Sequence, residues 1–226
     1  MLICLARQEY LRYTLHEVMS VKYIDIETWA RRDAYKMFSG DDYPFYNVCF
    51  EFDVTQVRAF SKREGLSFYH VMIWLVTKAV NSVPALRQRV RGDSVVELDR
   101  TDPSFTELRC GEECFYIVNA PWQDDIRAFC EACAAKRDAQ HFFIDNDRET
   151  DELIYISCMP WFDFTTMTNE HFFLRDDTVP RITWGKYVER GGRYMMHMSV
   201  EVNHRLVDGV HLGRFYEAME REMTAL

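Results

Sequence analysis

Residues 200–209 of the chain, Val-Glu-Val-Asn-His-Arg-Leu-Val-Asp-Gly, decide the fold class. Their alternation of apolar and polar side chains predicts a β-strand that runs directly into His204. A tight turn at Asp208 and Gly209 is predicted next, followed by an amphipathic helix over about residues 210–224. A histidine at the end of a strand, held by a short loop, has the fixed reach and the pKa near neutrality that a general base needs.

The rest of the chain predicts a single α/β domain around this stretch. Helices are predicted over 28–38 with Thr28 as the N-cap, from Asp53 or Thr55 to Gly65, from Ser67 to about Pro84, and over 122–139. Strands are predicted over 21–26, 43–54, 95–98, 105–118, 153–159, 163–168, 181–188 and 194–202. The simplest architecture with this order is a two-layer sandwich, in which helices cover one face of a mixed β-sheet. Residues 1–18 have weak periodicity and are predicted to be an N-terminal extension to a domain of residues 19–226.

The composition argues against some classes of function. The formal net charge of the 226 residues is -9, which disfavours a nucleic-acid binder because such proteins need a surplus of Lys and Arg. No apolar run approaches the roughly 20 residues of a membrane helix, and the apolar start, residues 1–6, is too short for the core of a signal peptide. We therefore expect a cytoplasmic protein that binds neither nucleic acid nor membrane.

The seven cysteines allow two interpretations. Their odd number, without an export signal, favours reduced thiols. The spacings Cys110-x3-Cys114 and Cys130-x2-Cys133 are also compatible with a four-thiolate zinc site. However, the first pair falls in a predicted strand and the second in a predicted helix, whereas zinc-binding pairs usually lie on turns. Small buried apolar side chains are the favoured interpretation, and no metal is predicted.

The pattern His204-x-x-x-Asp208-Gly209 resembles the active-site signature of the chloramphenicol acetyltransferases. The same signature occurs in dihydrolipoyl acyltransferase cores and in peptide-synthetase condensation domains. Further segments that resemble the first of these families are 26–32, Phe68-Tyr69, Asn81-x-x-Pro84-x-x-Arg87, Asp102-Pro103-x-Phe105-Thr106, Pro160-Trp161-x-x-Phe164-Thr165 and Thr183-x-Gly185-Lys186-Tyr187. Because their order and spacing agree over about residues 21–224, the chain is identified as a member of that family.

The resemblance implies the CoA-dependent acyltransferase fold, acetyl-CoA as co-substrate, and a homotrimer whose active site lies between subunits. His204 is implied to deprotonate the acceptor hydroxyl, which attacks the thioester carbonyl directly, without an acyl-enzyme. The family's serine, which stabilises the tetrahedral oxyanion, is placed at Thr166. A second threonine of the family, implied to hold a water near the intermediate, is placed at Thr183.

The resemblance also implies residues that support the site. Asp208, followed by Gly209, is implied to pair with Arg31 and so to brace the histidine loop. Asn203 stands where the family usually has the first of two consecutive histidines. The acceptor pocket is implied to include residues whose types depart from the family's usual order, namely Met37, Phe38 and Leu108.

Three functions stay open on the sequence alone. The first is acetylation of chloramphenicol or a related antibiotic, which gives resistance. The second is acylation of another small hydroxylated acceptor, and the altered pocket positions motivate it. The third is a binding or regulatory role in a homologue that lost the chemistry, and Asn203 and Thr166 motivate it.

Overall fold

A computed structural model of the chain describes residues 20–171 and 176–226, and the predicted extension 1–18 lies outside these residues. The strands are β1 (Val21–Ile24), β2 (Phe45–Asp53), β3 (Gln88–Arg91), β4 (Ser94–Leu98), β5 (Asp102–Glu107), β6 (Tyr116–Asn119), β7 (Leu153–Met159), β8 (Arg181–Gly185), β9 (Val188–Arg190) and β10 (Arg193–Asn203). The α-helices are α1 (Arg32–Phe38), α2 (Thr55–Glu64), α3 (Phe68–Asn81), α4 (Ile126–Ala139) and α5 (Gly209–Thr224).

The main sheet is mixed, as the order of elements predicts. Its strands are hydrogen-bonded in the order β2-β10-β8-β7-β5-β6, and β9 pairs with the start of β10. Strands β5, β7 and β8 run parallel to one another, whereas β10 is antiparallel to both β2 and β8. The last residue of β10 therefore lies at the end of the sheet where β8, β7 and β5 begin.

The two faces of this sheet differ in chemistry because successive side chains of a strand point to opposite faces. One row across the strands is apolar and buried, and consists of Val200, Ile182, Ile156, Phe105 and Val118. The neighbouring row points to the opposite face and carries hydroxyl groups, from Ser199, Thr183, Ser157 and Thr106. The helices pack on the apolar face, which gives the predicted two-layer sandwich.

Helix α3 lies at the centre of the core and is buried on nearly all sides. Gly65 ends α2 in the left-handed conformation, and the Ser67 side chain accepts a backbone N–H in the first turn of α3, as the sequence predicts. The ring of Tyr69 contacts the rings of Phe105 and Trp184 on the sheet. Burial of each large apolar side chain stabilises the fold by about 1.5–3 kcal/mol, so α3 fixes the helical layer on the sheet.

Two of the sequence predictions, one of a helix cap and one of a strand, are wrong. Thr28 does not cap α1, because its hydroxyl donates to the carboxylate of Asp25 in an exposed turn before the helix. The segment 163–168 is not a strand and has no regular secondary structure. The carbonyl of Met167 accepts a hydrogen bond from the Ser199 hydroxyl at 2.6 Å, so this segment lies across the polar face of the sheet.

A small second sheet, in the order β1-β4-β3, also departs from the sequence expectation. The sequence of β3, Gln-Arg-Val-Arg, is too polar to predict a buried strand. Arg89 in this strand is fully buried, and its guanidinium donates to the carbonyls of Asp151 and Leu153 at 2.5 and 3.0 Å. Burial lowers the pKa of Arg89 to about 10. These bonds join the second sheet to β7. The predicted strand 105–118 is in fact two strands, β5 and β6, joined by a loop.

Candidate active site

A turn of residues 204–206 follows β10 and presents His204 at the end of the sheet. The backbone N–H of His204 donates to the carbonyl of Pro44 at 2.6 Å, which ties the turn to the start of β2. The predicted turn at Asp208 and Gly209 is wrong, because Gly209 is already the first residue of α5. The position of the histidine is therefore set by the strand before it and the helix after it.

The imidazole of His204 is held in one tautomer by its surroundings. Its Nδ1 lies 3.1 Å from the carbonyl oxygen of Val207 and 3.2 Å from the Asp208 carboxylate. A carbonyl oxygen can only accept, so Nδ1 carries the proton and Nε2 keeps its lone pair. The ring stacks on Phe38 with centroids 3.9 Å apart and tilts against Tyr46 at 4.5 Å. About a third of the side chain is exposed (33%), so the ring is partly open to solvent.

Arg31, one residue before α1, holds the histidine turn through its guanidinium. It makes a bidentate ion pair with the Asp208 carboxylate, in which Nη2 lies 2.7 Å from Oδ1 and Nη1 contacts Oδ2. The same guanidinium donates to the carbonyls of His204 and Arg205 at 2.5 and 2.9 Å. Burial lowers the pKa of Arg31, although the neighbouring Tyr46 opposes this shift. One side chain thus fixes both ends of the turn.

Two further side chains support the turn from either side. Asn203 is buried, and its amide donates to the carbonyl of Asp177 at 3.1 Å while its oxygen accepts the N–H of Arg205 at 3.0 Å. His211 accepts the backbone N–H of Asp208 on Nδ1 at 2.9 Å, at the start of α5. Burial and the neighbouring Arg31 lower the pKa of His211. The lower pKa favours an unprotonated Nδ1 atom, which can accept this hydrogen bond. Asn203 thus tightens the turn at the position where the family usually has the first of two consecutive histidines.

Thr183 lies in the hydroxyl row on the polar face, where the sheet gives it close neighbours. Its hydroxyl donates to the side-chain oxygen of Asn169 at 3.1 Å. Ser157 stands beside it in register on β7, and the Ser157 hydroxyl lies 3.1 Å from that of Thr106. Ser157 is not among the site residues that the sequence predicted. The signal was present, since Tyr155 and Ser157 alternate with buried Ile154 and Ile156 in a predicted strand.

The remaining predicted site residues are dispersed. Thr166 is exposed on the irregular segment that crosses the polar face, outside any strand. Met37 is largely exposed (68%) beside Phe38. Leu108 follows the end of β5, and β5 runs opposite to β10, so Leu108 lies at the far end of the sheet from His204. The structure does not require a glycine at position 209, because a Cβ atom placed there would meet no atom within 4 Å.

His204 and Thr183 of one chain are too far apart to act on one carbonyl group. Thr183 pairs with Ser199, and His204 follows Ser199 by five positions along the same chain direction. At a rise of about 3.3 Å per residue, the two side chains are separated by roughly 16 Å along the strand. Groups that act on one reacting centre must lie within about 3–3.5 Å of it. Within one chain, His204 and Thr183 therefore cannot act on the same reacting centre.

A buried charged network holds the segment 167–171 on the polar face. Glu201 accepts the N–H of Asn169 and the His171 ring nitrogen, both at 2.7 Å. Asp177 lies 3.6 Å from the other ring nitrogen of His171 and pairs with Arg181 at 2.7 Å. Burial opposes the charge on His171, but the Asp177 and Glu201 carboxylates beside the ring outweigh burial and raise its pKa. The bonds to His171 likewise lower the pKa of Glu201 against the effect of burial.

The described cysteines do not form the zinc site that their spacing allowed. Over residues 20–171 and 176–226, no group of three or more His, Cys, Asp or Glu is arranged to hold a metal ion. Cys110 and Cys114 are exposed on the loop between β5 and β6, whereas Cys130 and Cys133 are buried within α4. Within the same described residues, every helix is too short or too polar to cross a membrane.

Comparison with known proteins gives consistent matches to one protein family. The family profile described as "Chloramphenicol acetyltransferase" matches residues 19–220. "Chloramphenicol acetyltransferase 3" of Escherichia coli is 27% identical over 207 residues, which cover 89% of this chain and 96% of the relative. "Chloramphenicol acetyltransferase 2" of Haemophilus influenzae is 26% identical over 210 residues, with 89% and 96% covered.

Solved structures agree with the sequence comparison. A structure titled "chloramphenicol acetyltransferase" superimposes with a TM-score of 0.83 and 25% identity, and the match covers 90% of this chain and all of the other. A probable dihydrolipoamide acetyltransferase from Listeria monocytogenes 4b F2365 has a TM-score of 0.61 at 17% identity, covering 90% of this chain and 94% of the other. This second likeness concerns the fold alone.

Replacement of Arg31 by alanine tests the support of the turn. We expect Arg31→Ala to lower the free energy of unfolding by about 2–3 kcal/mol, because it removes the charge-assisted bonds of the guanidinium to the Asp208 carboxylate and to two carbonyl groups of the turn. Urea denaturation measures the change. Arg32→Ala is the matched control, since the exposed Arg32 pairs only with exposed neighbours, and its stability should stay near that of wild type. Equal stability of the two variants would contradict the bracing role.

The raised pKa of His171 predicts a pH dependence of stability. A group whose pKa is raised by folding contributes fully below its unfolded value of about 6.5 and loses this contribution as the pH rises through the folded value. His171→Gln should therefore destabilise the protein more at about pH 6 than at about pH 9. Urea denaturation of both proteins at each pH measures the difference. A destabilisation that grows with pH would refute the charged state of His171.

Proposed function

The chain belongs to the chloramphenicol acetyltransferase family of acyltransferases, and from this premise we propose that it transfers the acetyl group of acetyl-CoA to a small hydroxylated acceptor with His204 as the general base. The observation that carries the proposal is the fixed tautomer of His204, whose Nδ1 proton faces the Val207 carbonyl. The basic Nε2 is thereby directed away from the turn, on a ring that is partly exposed.

The reaction follows from this arrangement. The Nε2 atom of His204 takes the proton of the acceptor hydroxyl as its oxygen attacks the thioester carbonyl carbon. The carbonyl π electrons move to oxygen and form a tetrahedral oxyanion. Its collapse breaks the carbon–sulfur bond, and the CoA sulfur leaves with the proton that His204 held. General base catalysis of this kind contributes typically about 10²–10⁴ in rate, and the nearby Asp208 carboxylate stabilises the transient imidazolium.

The catalytic set is completed between two copies of the chain. His204 lies at one end of the sheet, and the hydroxyl row with Thr183 and Ser157 lies roughly 16 Å away in the same chain. A neighbouring copy can present its hydroxyl row to His204, as in the homotrimer that the family resemblance implies. A cyclic trimer repeats one such heterologous contact three times, so each trimer holds three equivalent sites.

Ser157 is the better candidate than Thr166 for the donor to the oxyanion. An oxyanion donor must be held rigidly in place before the charge develops. Ser157 is fixed by strand pairing on both sides and contacts Thr106 at 3.1 Å, whereas Thr166 is exposed on an irregular segment. In this proposal Thr183, next to Ser157 in the row, orients a water or a second donor.

The chain also offers residues that fit the phosphates of a coenzyme, in spite of its net charge of -9. Among the described residues, neither Arg58 nor Lys186 has a carboxylate within salt-bridge distance. The Arg58 guanidinium lies 4.1 Å above the ring of Tyr194, and its Nε is buried without a partner. Tyr187 is 5.9 Å from the same guanidinium. A cation such as Arg58 beside aromatic rings suits the adenine of CoA, and Arg58 and Lys186 both suit its phosphates.

The acceptor is less closely defined than the base. Phe38 stacks on His204 and supplies an aromatic wall beside the reacting nitrogen. Met37, exposed beside it, and Leu108, exposed at the far end of the sheet, would meet in a pocket only between copies. We propose chloramphenicol or a related antibiotic as the first acceptor, and another small hydroxylated compound as the alternative, because these walls are apolar and unspecific.

Release of free CoA from acetyl-CoA, measured with chloramphenicol and with a panel of alcohols, tests the activity. We expect turnover by the wild type and a loss of about 10³-fold in kcat for His204→Gln with unchanged folding, because glutamine cannot take the proton. His141→Gln, at an exposed histidine, is the matched control and should keep the wild-type rate. Equal activity of His204→Gln and wild type would remove His204 from the mechanism, and no release with any acceptor would favour a binding role.

Mixed oligomers test whether the site is shared between copies. His204→Gln and the double variant Ser157→Ala/Thr183→Ala should each be inactive alone. Co-expression should recover activity at about a quarter of the interfaces, because random assembly pairs an intact His204 with an intact hydroxyl row there. Oligomers of differently tagged His204→Gln chains are the control. If the mixed oligomer stays as inactive as this control, the two halves do not meet across an interface.

A further inference from the structure

The described cysteines fall into two groups with different exposure. Burial raises the pKa of the Cys130 and Cys158 thiols to about 12 and that of Cys133 as well, and desolvation raises the pKa of the half-buried Cys49. Thiols of this kind are poor nucleophiles, since the thiolate is the reactive form. Among the residues that the structure describes, Cys110 and Cys114 are the exposed thiols.

Both exposed thiols lie on one loop, residues 108–115, whose ends are held in place. Pairing of Glu107 with Tyr116 closes the loop at its base. The Arg109 guanidinium donates to the carbonyls of Arg137, at 2.9 Å, and Gln140 at the end of α4, and it lies 4.2 Å above the ring of Tyr116. The base of the loop is therefore fixed, while the segment with the two cysteines is in solvent.

The chain reverses between the two cysteines. Gly111 adopts a φ of 85°, in the left-handed region that favours glycine. The N–H of Glu112 donates to the carbonyl of Arg109 at 3.1 Å, which closes a turn around Cys110. The register of the Glu107–Tyr116 pair, continued into the loop, sets Cys110 opposite Glu113 and therefore next to Cys114. The two cysteines thus lie on facing arms of a short loop, and a disulfide between them needs Cα atoms within about 4.4–6.8 Å.

We propose that Cys110 and Cys114 are a thiol–disulfide exchange site, which low-molecular-weight disulfides convert into a disulfide within the loop. One thiolate attacks a sulfur of the small disulfide and forms a mixed disulfide, and the first small thiolate leaves. The second cysteine then attacks the protein sulfur of this mixed disulfide and releases the second small thiol. The two protein thiols lose two hydrogen atoms in total, and the small disulfide is reduced to two thiols.

The position of the loop gives this modification a consequence for binding. Leu108 and Phe115, which begin and end the loop, are both partly exposed and apolar. A disulfide between Cys110 and Cys114 shortens the segment that connects Leu108 to Phe115. It therefore changes the positions of these two side chains. This consequence rests on the proposed function, in which Leu108 contributes to the acceptor pocket: oxidation then shifts KM for the acceptor and leaves KM for acetyl-CoA unchanged.

Mass spectrometry tests the exchange site without reference to activity. The full chain carrying Cys4→Ser, which removes the thiol outside the described residues, is incubated with oxidised glutathione at increasing ratios to reduced glutathione. The expected product has lost two hydrogen atoms, and protease digestion locates the link between Cys110 and Cys114. The single variants Cys110→Ser and Cys114→Ser should instead stop at one mixed disulfide with glutathione, because the second thiol is missing.

A bridging probe gives an independent measurement. Phenylarsine oxide bonds two close thiols at once, so one equivalent should bind to the reduced chain and should fail to bind to the variant Cys110→Ser/Cys114→Ser. Stable glutathione adducts on the wild-type loop, or equal binding of the arsenical to this double variant, would overturn the proposal. Acetyltransferase assays on the oxidised and the reduced protein test a different claim. An inactive reduced protein would argue against the proposed function, but it would not change what mass spectrometry shows about the disulfide.

Discussion

The guanidinium of Arg31 is the constraint on which the histidine turn depends. It reaches the Asp208 carboxylate and the carbonyls of His204 and Arg205 from a single position before α1. The carbonyl of Val207 then lies where it can accept the Nδ1 proton of His204. A general base needs a fixed tautomer as well as a fixed position, and here the same few bonds supply both. Burial lowers the pKa of this guanidinium, and the Asp208 carboxylate faces it as the opposite charge.

The direction of the strands separates His204 from the hydroxyl row within one folded chain. Antiparallel β10 carries His204 to one end of the sheet, whereas parallel β5, β7 and β8 carry their hydroxyl row and Leu108 toward the other. The helical layer covers the apolar face, and the opposite face is polar, crossed by the segment 160–171. In the proposed function, the imidazole of one copy therefore meets the hydroxyl row of another copy.

The sequence predicted those features that depend on local pattern. Alternation in 194–202 places His204 at a strand end, and Ser67 and Gly65 mark helix ends through their own backbone preferences. Features that depend on register were not predictable. Ser157 becomes a neighbour of Thr183 only through strand pairing, so motif order led to Thr166 instead. The burial of Arg89 was not predictable either, because its carbonyl partners lie at the start of β7 and just before it, more than 60 residues away in sequence.

Nitrogen NMR of the protein with isotope-labelled histidine tests the central claim most directly. The ring signals of His204 are assigned by comparison with the His204→Gln variant. At neutral pH and in the neutral form of the ring, the account predicts a protonated Nδ1 and a bare Nε2, as the bond to the Val207 carbonyl requires. A proton on Nε2 with a bare Nδ1 would contradict it, because the nitrogen facing the acceptor would then have no lone pair to take a proton.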